Sequence, residues 1–207
     1  MPSRWRASVV ACLCALSCPP DALAGTHPRA FWEALRQHHY HIEDPASARA
    51  LAAEAITLLD SPDPELRDDI AYGALVQWIH EDRRFDAPAL APLVDTLMSR
   101  ARRGLGDGPG EGLYGRSFSL LALSVAAAAD NRGALLDDGR YHALVTLGTD
   151  SLRSERDLRG YDPAHGWGHA TAHAADLLKF LARNARLRPA EQAGIVDATK
   201  WKIILGL

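Results

Sequence analysis

The residues with the clearest chemical potential lie in one segment, YDPAHGWGHATAHAADLLKF, at positions 161–180. If residues 167–184 form a helix, the i, i+4 and i+7 spacing places His169, His173 and Asp176 on one face. Two imidazoles and a carboxylate form an acceptable ligand set for a divalent metal such as zinc, iron or manganese. The segment therefore predicts either a metal site or a polar face that lines a binding groove.

Two charged turns offer further candidates for chemistry. No glutamate follows His169, so the general base of the metalloprotease signature is missing and would come from elsewhere. Asp68 and Asp157 are the candidates for a catalytic base, provided that their turns converge on the same groove. The alternative is structural, since arginines in both turns suit bidentate pairing with carboxylates of neighbouring helices. The candidate ligand-binding residues are Arg67, Arg116, Arg159 and Trp167.

Apolar residues at helical spacing predict the elements that position these side chains. Asp44-Pro45, Asp63-Pro64 and Asp86 before Ala87-Pro88 each place a capping side chain ahead of a proline in a first turn. No β-branched run bounded by turn residues predicts a strand, so the expected class is all-α. The predicted helices are 29–39, 45–59, 64–80, 87–103, 115–129, 138–156, 167–184 and 189–204.

Two all-α architectures fit this pattern. Arg67, Arg116 and Arg159 recur near helix starts, at intervals close to the length of two-helix HEAT and armadillo units. A helical-hairpin array of that kind is one prediction, and an irregular α bundle is the other. The glycine-rich interruption Gly104–Gly115 predicts a mobile loop, and no strand precedes it to support a dinucleotide site.

The N-terminal residues predict a secretory signal peptide. Arg4 and Arg6 precede the short apolar run ASVVACLCALSC, and Ala22-Leu23-Ala24 supplies small residues for cleavage after Ala24. All three cysteines lie in residues 1–24, so residues 25–207 would be a cysteine-free α-helical domain in the periplasm or outside the cell. A lipoprotein anchored at Cys18 is the alternative.

Composition narrows the function classes. The chain has 207 residues, of which 47% are hydrophobic and 24% are charged, with a formal net charge of -3, as in folded globular proteins. No apolar run after residue 24 is long enough to predict a transmembrane span. The sequence contains no cluster of lysines and arginines that would form a basic face. Nucleic-acid binding is therefore not predicted, because binding to phosphates requires such a surface.

Four motifs together resemble the bacterial domain-of-unknown-function 2785 family: ELRDDIAY, GRSFSLLAL, ERDLRGY and GWGHATAHAADLL. The resemblance spans about Phe31 to Leu181 and implies an α-helical, HEAT-like fold without an assigned reaction. Further helices would be expected in relatives after ATKWKIILGL, so the resemblance predicts a domain shortened at its C-terminal end. The matching positions are Arg67, Asp68, Tyr72, Arg116, Ser117, Phe118, Asp157, Arg159, Gly160, Gly166, Trp167, His169, His173 and Asp176.

Two functions follow from these predictions. The first is a binding or scaffold module for an unidentified protein or small-molecule ligand, with its groove on the 166–180 helix. The alternative is a metal-dependent hydrolase with His169, His173 and Asp176 as ligands. Convergence of all the acidic and histidine candidates in one pocket would favour the enzyme, whereas separate arginine–carboxylate pairs would favour the module.

Overall fold

The computed structural model describes residues 27–205, which form eight helices and one small hairpin. The all-α class is confirmed. No helix in this part of the chain is both long and apolar enough to cross a membrane. The predicted signal peptide, 1–24, lies outside the described residues.

The helices are α1 Arg29–Gln37, α2 Pro45–Leu58, α3 (consecutive segments Glu65–Tyr72, Gly73–Leu75 and Val76–Glu81), α4 Ala87–Arg102, α5 Leu113–Gly133, α6 Asp138–Ser154, α7 Ala170–Leu181 and α8 Pro189–Leu205.

Aspartates fix several helix starts, and the sequence predicts two of them, at Asp44 and Asp86. The Asp44 carboxylate accepts hydrogen bonds from two backbone N–H groups in the first turn of α2. The carboxylates of Asp86 and Asp137 each accept one in α4 and α6. Each bond satisfies a backbone donor that has no partner within its helix, which stabilises the start by about 1 kcal/mol.

Helix α5 occupies the centre of the molecule. In its segment 113–130 every residue except Leu121 is buried. It packs against α4, α7 and the Val76–Glu81 segment of α3, while α6 contacts α7 and α8. The buried apolar side chains form one continuous core from Trp32 in α1 to Ala198 in α8. Burial on nearly all sides explains why α5 is rich in alanine and leucine rather than amphipathic.

Helix α3 departs from the regular α-helix expected for residues 64–80. Its segments Glu65–Tyr72 and Val76–Glu81 are π-helical, a widened form that is rare and often found at functional sites. The Tyr40 hydroxyl donates a hydrogen bond to the Asp69 carbonyl oxygen at this point. It also approaches Gly73 so closely that a Cβ there would lie 2.6 Å from the hydroxyl oxygen. A side chain inserted against the backbone in this way disturbs regular α-helical pairing.

The segment before α7 is a hairpin, so the predicted helix start at residue 167 is wrong. Strands β1 (Tyr161–Asp162) and β2 (Gly166–Trp167) pair antiparallel. The Asp162 carboxylate accepts hydrogen bonds from the N–H groups of Ala164 and His165, which closes the turn between them. Gly166 and His169 have φ values of 73° and 51°, which are incompatible with a helix through these residues. Helix α7 therefore begins only at Ala170.

Candidate functional site

A groove of about 550 Å³ lies between α3 and the hairpin with the first half of α7. Helix α3 contributes Asp68, Asp69 and Tyr72, and α5 contributes Phe118 at the base. The opposite wall consists of Trp167, His169, His173 and Asp176. Five of the predicted site residues therefore meet in one groove, and we refer to it as the α3–α7 groove.

Arg67 lies behind the groove and ties its two walls together. Its side chain is fully buried, and its Nη2 donates a hydrogen bond of 2.7 Å to the carbonyl oxygen of His165 in the hairpin. Nη1 donates to the carbonyl oxygen of Ser61 at 2.8 Å. The guanidinium also lies 4.2 Å and 4.7 Å from the ring centres of Tyr114 and Phe118. Arg67 is therefore a structural residue, since its Nη groups bind the protein itself.

Asp68 faces Arg67 with one carboxylate oxygen and leaves the other open. Its side chain is 29% exposed, and its Oδ1 lies 3.5 Å from Nε of Arg67. Among the described residues, no group donates a hydrogen bond to Oδ1, although that atom is buried. Burial raises the pKa of Asp68, because the charged form loses water contacts. Oδ1 thus faces Arg67, whereas Oδ2 accepts no hydrogen bond within the described residues and is the acceptor that a ligand in the groove could satisfy.

His173 is held as a neutral imidazole. Its Nδ1 lies 2.8 Å from Ser117 Oγ and 3.2 Å from the Ser117 carbonyl oxygen. Because the Ser117 hydroxyl donates its own proton to the Gly168 carbonyl oxygen, Nδ1 must carry the proton in this pair. Burial lowers the pKa of His173 to about 4. Nε2 is left as a hydrogen-bond acceptor with no partner among the described residues.

An aromatic surface continues from the groove onto the hairpin. The His169 ring lies 4.2 Å from that of Trp167 and 6.0 Å from that of His173, measured between centroids. Trp167 in turn meets Tyr161 edge to face at 5.1 Å. Trp167 is 48% exposed and Tyr161 is 62% exposed. The exposed position of Trp167 at the groove therefore agrees with a ligand-binding role.

The predicted metal ligands share the groove without forming a ligand set. His169 precedes α7 in a left-handed conformation, so the i, i+4, i+7 stripe is broken at its first position. Asp176 Oδ1 accepts a hydrogen bond of 2.5 Å from Lys179. Within residues 27–205, no three histidine, cysteine, aspartate or glutamate side chains are grouped so that they could hold a metal ion. A divalent metal bound by His169, His173 and Asp176 stays a prediction that this geometry does not favour.

The remaining predicted site residues belong to a separate network at the end of α6. Arg116 and Glu155 are buried and paired, with Nε–Oε2 at 2.9 Å and Nη2–Oε1 at 3.1 Å. The Asp157 carboxylate binds Arg159 at 2.6 Å and accepts a bond from the Gly110 N–H at 3.3 Å. None of these residues lines the α3–α7 groove. The condition set for Asp157 as a catalytic base, convergence with Asp68 on one groove, is therefore not met.

The same network fixes the glycine-rich segment. Gly110 is held at its N–H by Asp157 and at its carbonyl oxygen by Arg159, the latter at 2.7 Å. Burial alone would raise the pKa of Asp157, but the hydrogen bonds from Arg159 and Gly110 hold it below its usual value. The segment that the sequence suggests is mobile is thus attached to the loop after α6. Arg116 and Arg159 have structural partners, which fits the alternative of arginine–carboxylate pairs.

Asp69 lines the groove and Tyr161 lies beside it, although the sequence alone singles out neither as a site residue. Tyr161 becomes relevant only because the hairpin brings it beside Trp167. The signal for that hairpin is present in the sequence as Asp162-Pro163 followed by Gly166, a combination typical of turns. Tyr72, which the family resemblance marks, lines the groove as well.

The comparisons agree with this resemblance. Residues 104–205 match the model of a family described as protein of unknown function (DUF2785). This match supports the resemblance to the DUF2785 family. The DUF2785 match contains α5, the hairpin, α7 and α8, whereas Asp68 and Tyr72 in α3 precede it. Comparisons with curated proteins and with solved structures gave no match.

Proposed function

We propose that the protein is a binding module and that the α3–α7 groove is its ligand site. The observation that carries this proposal is the combination of a half-exposed indole with two acceptors that lack partners within residues 27–205. These are Trp167, Asp68 Oδ2 and His173 Nε2. Natural sites combine aromatic walls with a few placed polar groups, and a groove of about 550 Å³ has the size of a small-molecule site.

The buried residues that hold the groove in shape favour binding over catalysis. Arg67 joins both walls, and Ser117 links α5 to Gly168 and to His173. Ser117 is fully buried and its hydroxyl is committed to these contacts, so it is not placed as a nucleophile. Walls that are fixed before the ligand arrives lower the entropic cost of binding.

We also propose that the protein is exported, since residues 1–24 carry the charge and apolar pattern of a signal peptide. Export would present the groove to ligands of the periplasm or of the cell exterior. The lipoprotein form anchored at Cys18 is the alternative.

A thermal-shift measurement with a small panel tests the groove. The full chain is heated alone and with millimolar n-butylammonium, acetate, glucose or glycinamide, because a ligand that binds the native state raises the melting temperature. At least one compound is expected to stabilise the wild type and Trp201→Ala, but not Trp167→Ala. Trp201 is the matched control, since its indole is 54% exposed and lies on α8. Equal stabilisation of all three proteins would place binding elsewhere, and no stabilisation by any compound would contradict the proposal.

A further inference from the structure

We infer that the ligand of the α3–α7 groove presents a primary alkylammonium group, which it inserts between Asp68 and Trp167. This inference rests on the proposed binding function and specifies the chemistry of its ligand. The free amine of a small molecule and the side chain of a lysine in a peptide offer the same group.

The first argument is the excess of hydrogen-bond acceptors in the groove. Asp68, Asp69 and Asp176 are carboxylates, which accept hydrogen bonds when ionised and donate none. His173 adds a fourth acceptor, because its Nδ1 proton is used by Ser117. An ammonium group offers three donors and no acceptor, so it can satisfy several of these acceptors at once.

The second argument is charge. The cations nearest to these carboxylates leave acceptors open. Lys179 binds only Oδ1 of Asp176, and Arg36 binds Oδ2 of Asp69 at 3.2 Å. Arg67 pairs through Nε with Oδ1 of Asp68 at 3.5 Å, and both its Nη groups bind carbonyl oxygens, so Oδ2 of Asp68 stays open. An anionic ligand would therefore face carboxylates at the groove wall, whereas an ammonium group would gain charge-assisted hydrogen bonds.

The third argument is the exposed indole. The negatively polarised face of a tryptophan attracts an ammonium group within about 6 Å of the ring centre. Trp167 packs against Tyr161 and His169, with ring centres 5.1 Å and 4.2 Å away, so its ring is already oriented. Aromatic surface also covers the alkyl chain that carries the ammonium group.

Isothermal titration calorimetry of the full chain tests this inference with matched pairs of probes. The charged probes are n-butylammonium and Nα-acetyl-lysine methylamide, and the neutral ones are 1-butanol and the Nε-acetylated form of the lysine probe. Both charged probes are expected to bind at least about tenfold more tightly than their neutral counterparts, because the neutral probes cannot form charge-assisted hydrogen bonds with the carboxylates. Tighter binding of n-butylammonium would indicate a free amine as the natural source, and tighter binding of the lysine probe would indicate a peptide.

Variants locate the bound ammonium group. Asp68→Asn is expected to weaken binding about tenfold or more, and Trp167→Ala about threefold. Asp197→Asn and Trp201→Ala, both exposed on α8, should bind as the wild type does. If 1-butanol or the acetylated probe binds as well as its charged partner, the ammonium inference fails while the groove remains a site. If neither charged probe binds at millimolar concentration, the ammonium inference also fails. The thermal-shift panel then shows whether the groove binds any of the other compounds.

Discussion

Glu155→Gln is expected to lower the free energy of unfolding by about 3–5 kcal/mol. Arg116 and Glu155 are 5% and 2% exposed at their side chains and form two hydrogen bonds. Removing one charge of such a pair leaves the other buried without compensation, which costs much more than the pair itself contributes. Glu155 Oε1 also accepts a hydrogen bond from the Asp157 N–H, so the loop that leads to the hairpin depends on it. Urea unfolding at neutral pH measures the change.

The chain offers a matched control for this pair. Arg140 and Asp95 form the same bidentate arrangement at 2.9 Å and 2.7 Å, but Asp95 is 52% exposed. Asp95→Asn should cost less than about 1 kcal/mol, because water screens exposed pairs. The double variant Arg116→Met/Glu155→Met should cost less than the sum of its single variants. Similar losses for Glu155→Gln and Asp95→Asn would contradict the structural role assigned to Arg116 and Glu155.

Stability is expected to fall by about 3 kcal/mol between pH 7 and pH 4 because of His173 alone. The pKa of His173 falls from 6.5 to about 4 in the folded state, with burial as the main cause. Between these values the unfolded chain binds a proton that the folded chain does not, so stability rises with pH across this window. The contribution is fully present above about pH 6.5 and is lost as the pH falls towards 4.

The measurement is the free energy of unfolding in urea at several pH values for the wild type and for His173→Asn. An asparagine amide keeps a donor near the position of Nδ1 but does not titrate, so its profile should be flatter in this range. His41→Asn is the control, since the His41 side chain is exposed. Parallel profiles for the wild type and His173→Asn would show that His173 is not held neutral by its surroundings.

The helices could be predicted because local signals determine them. Aspartate caps and apolar spacing place most helix ends within a few residues of their observed positions, as for α2, α4 and α8. The class follows from these signals, but the choice between a repeat array and an irregular bundle does not. That choice depends on how helices cross, and crossing depends on contacts such as Gly148 against Leu178 that no local pattern reveals.

The site could be predicted only in part. Helical spacing draws attention to His169, His173 and Asp176, and all three line the groove, although the hairpin removes His169 from α7. The sequence alone does not distinguish an arginine or aspartate that binds a ligand from one that pairs with another side chain of the protein. Arg67, Arg116 and Arg159 turn out to have protein partners, and their partners lie up to 98 residues away in the chain. Long-range pairing of this kind requires the fold.

The most direct test of the α3–α7 groove as a ligand site is the indole N–H resonance of Trp167. The full chain is labelled with ¹⁵N-tryptophan, and the Trp167 resonance is assigned by its loss in Trp167→Ala. On titration with the panel compound that raises the melting temperature most, this resonance is expected to shift progressively to saturation, while that of Trp201 on α8 stays in place. A Trp167 resonance that does not move, or a shift confined to Trp201, would contradict the assignment of the groove.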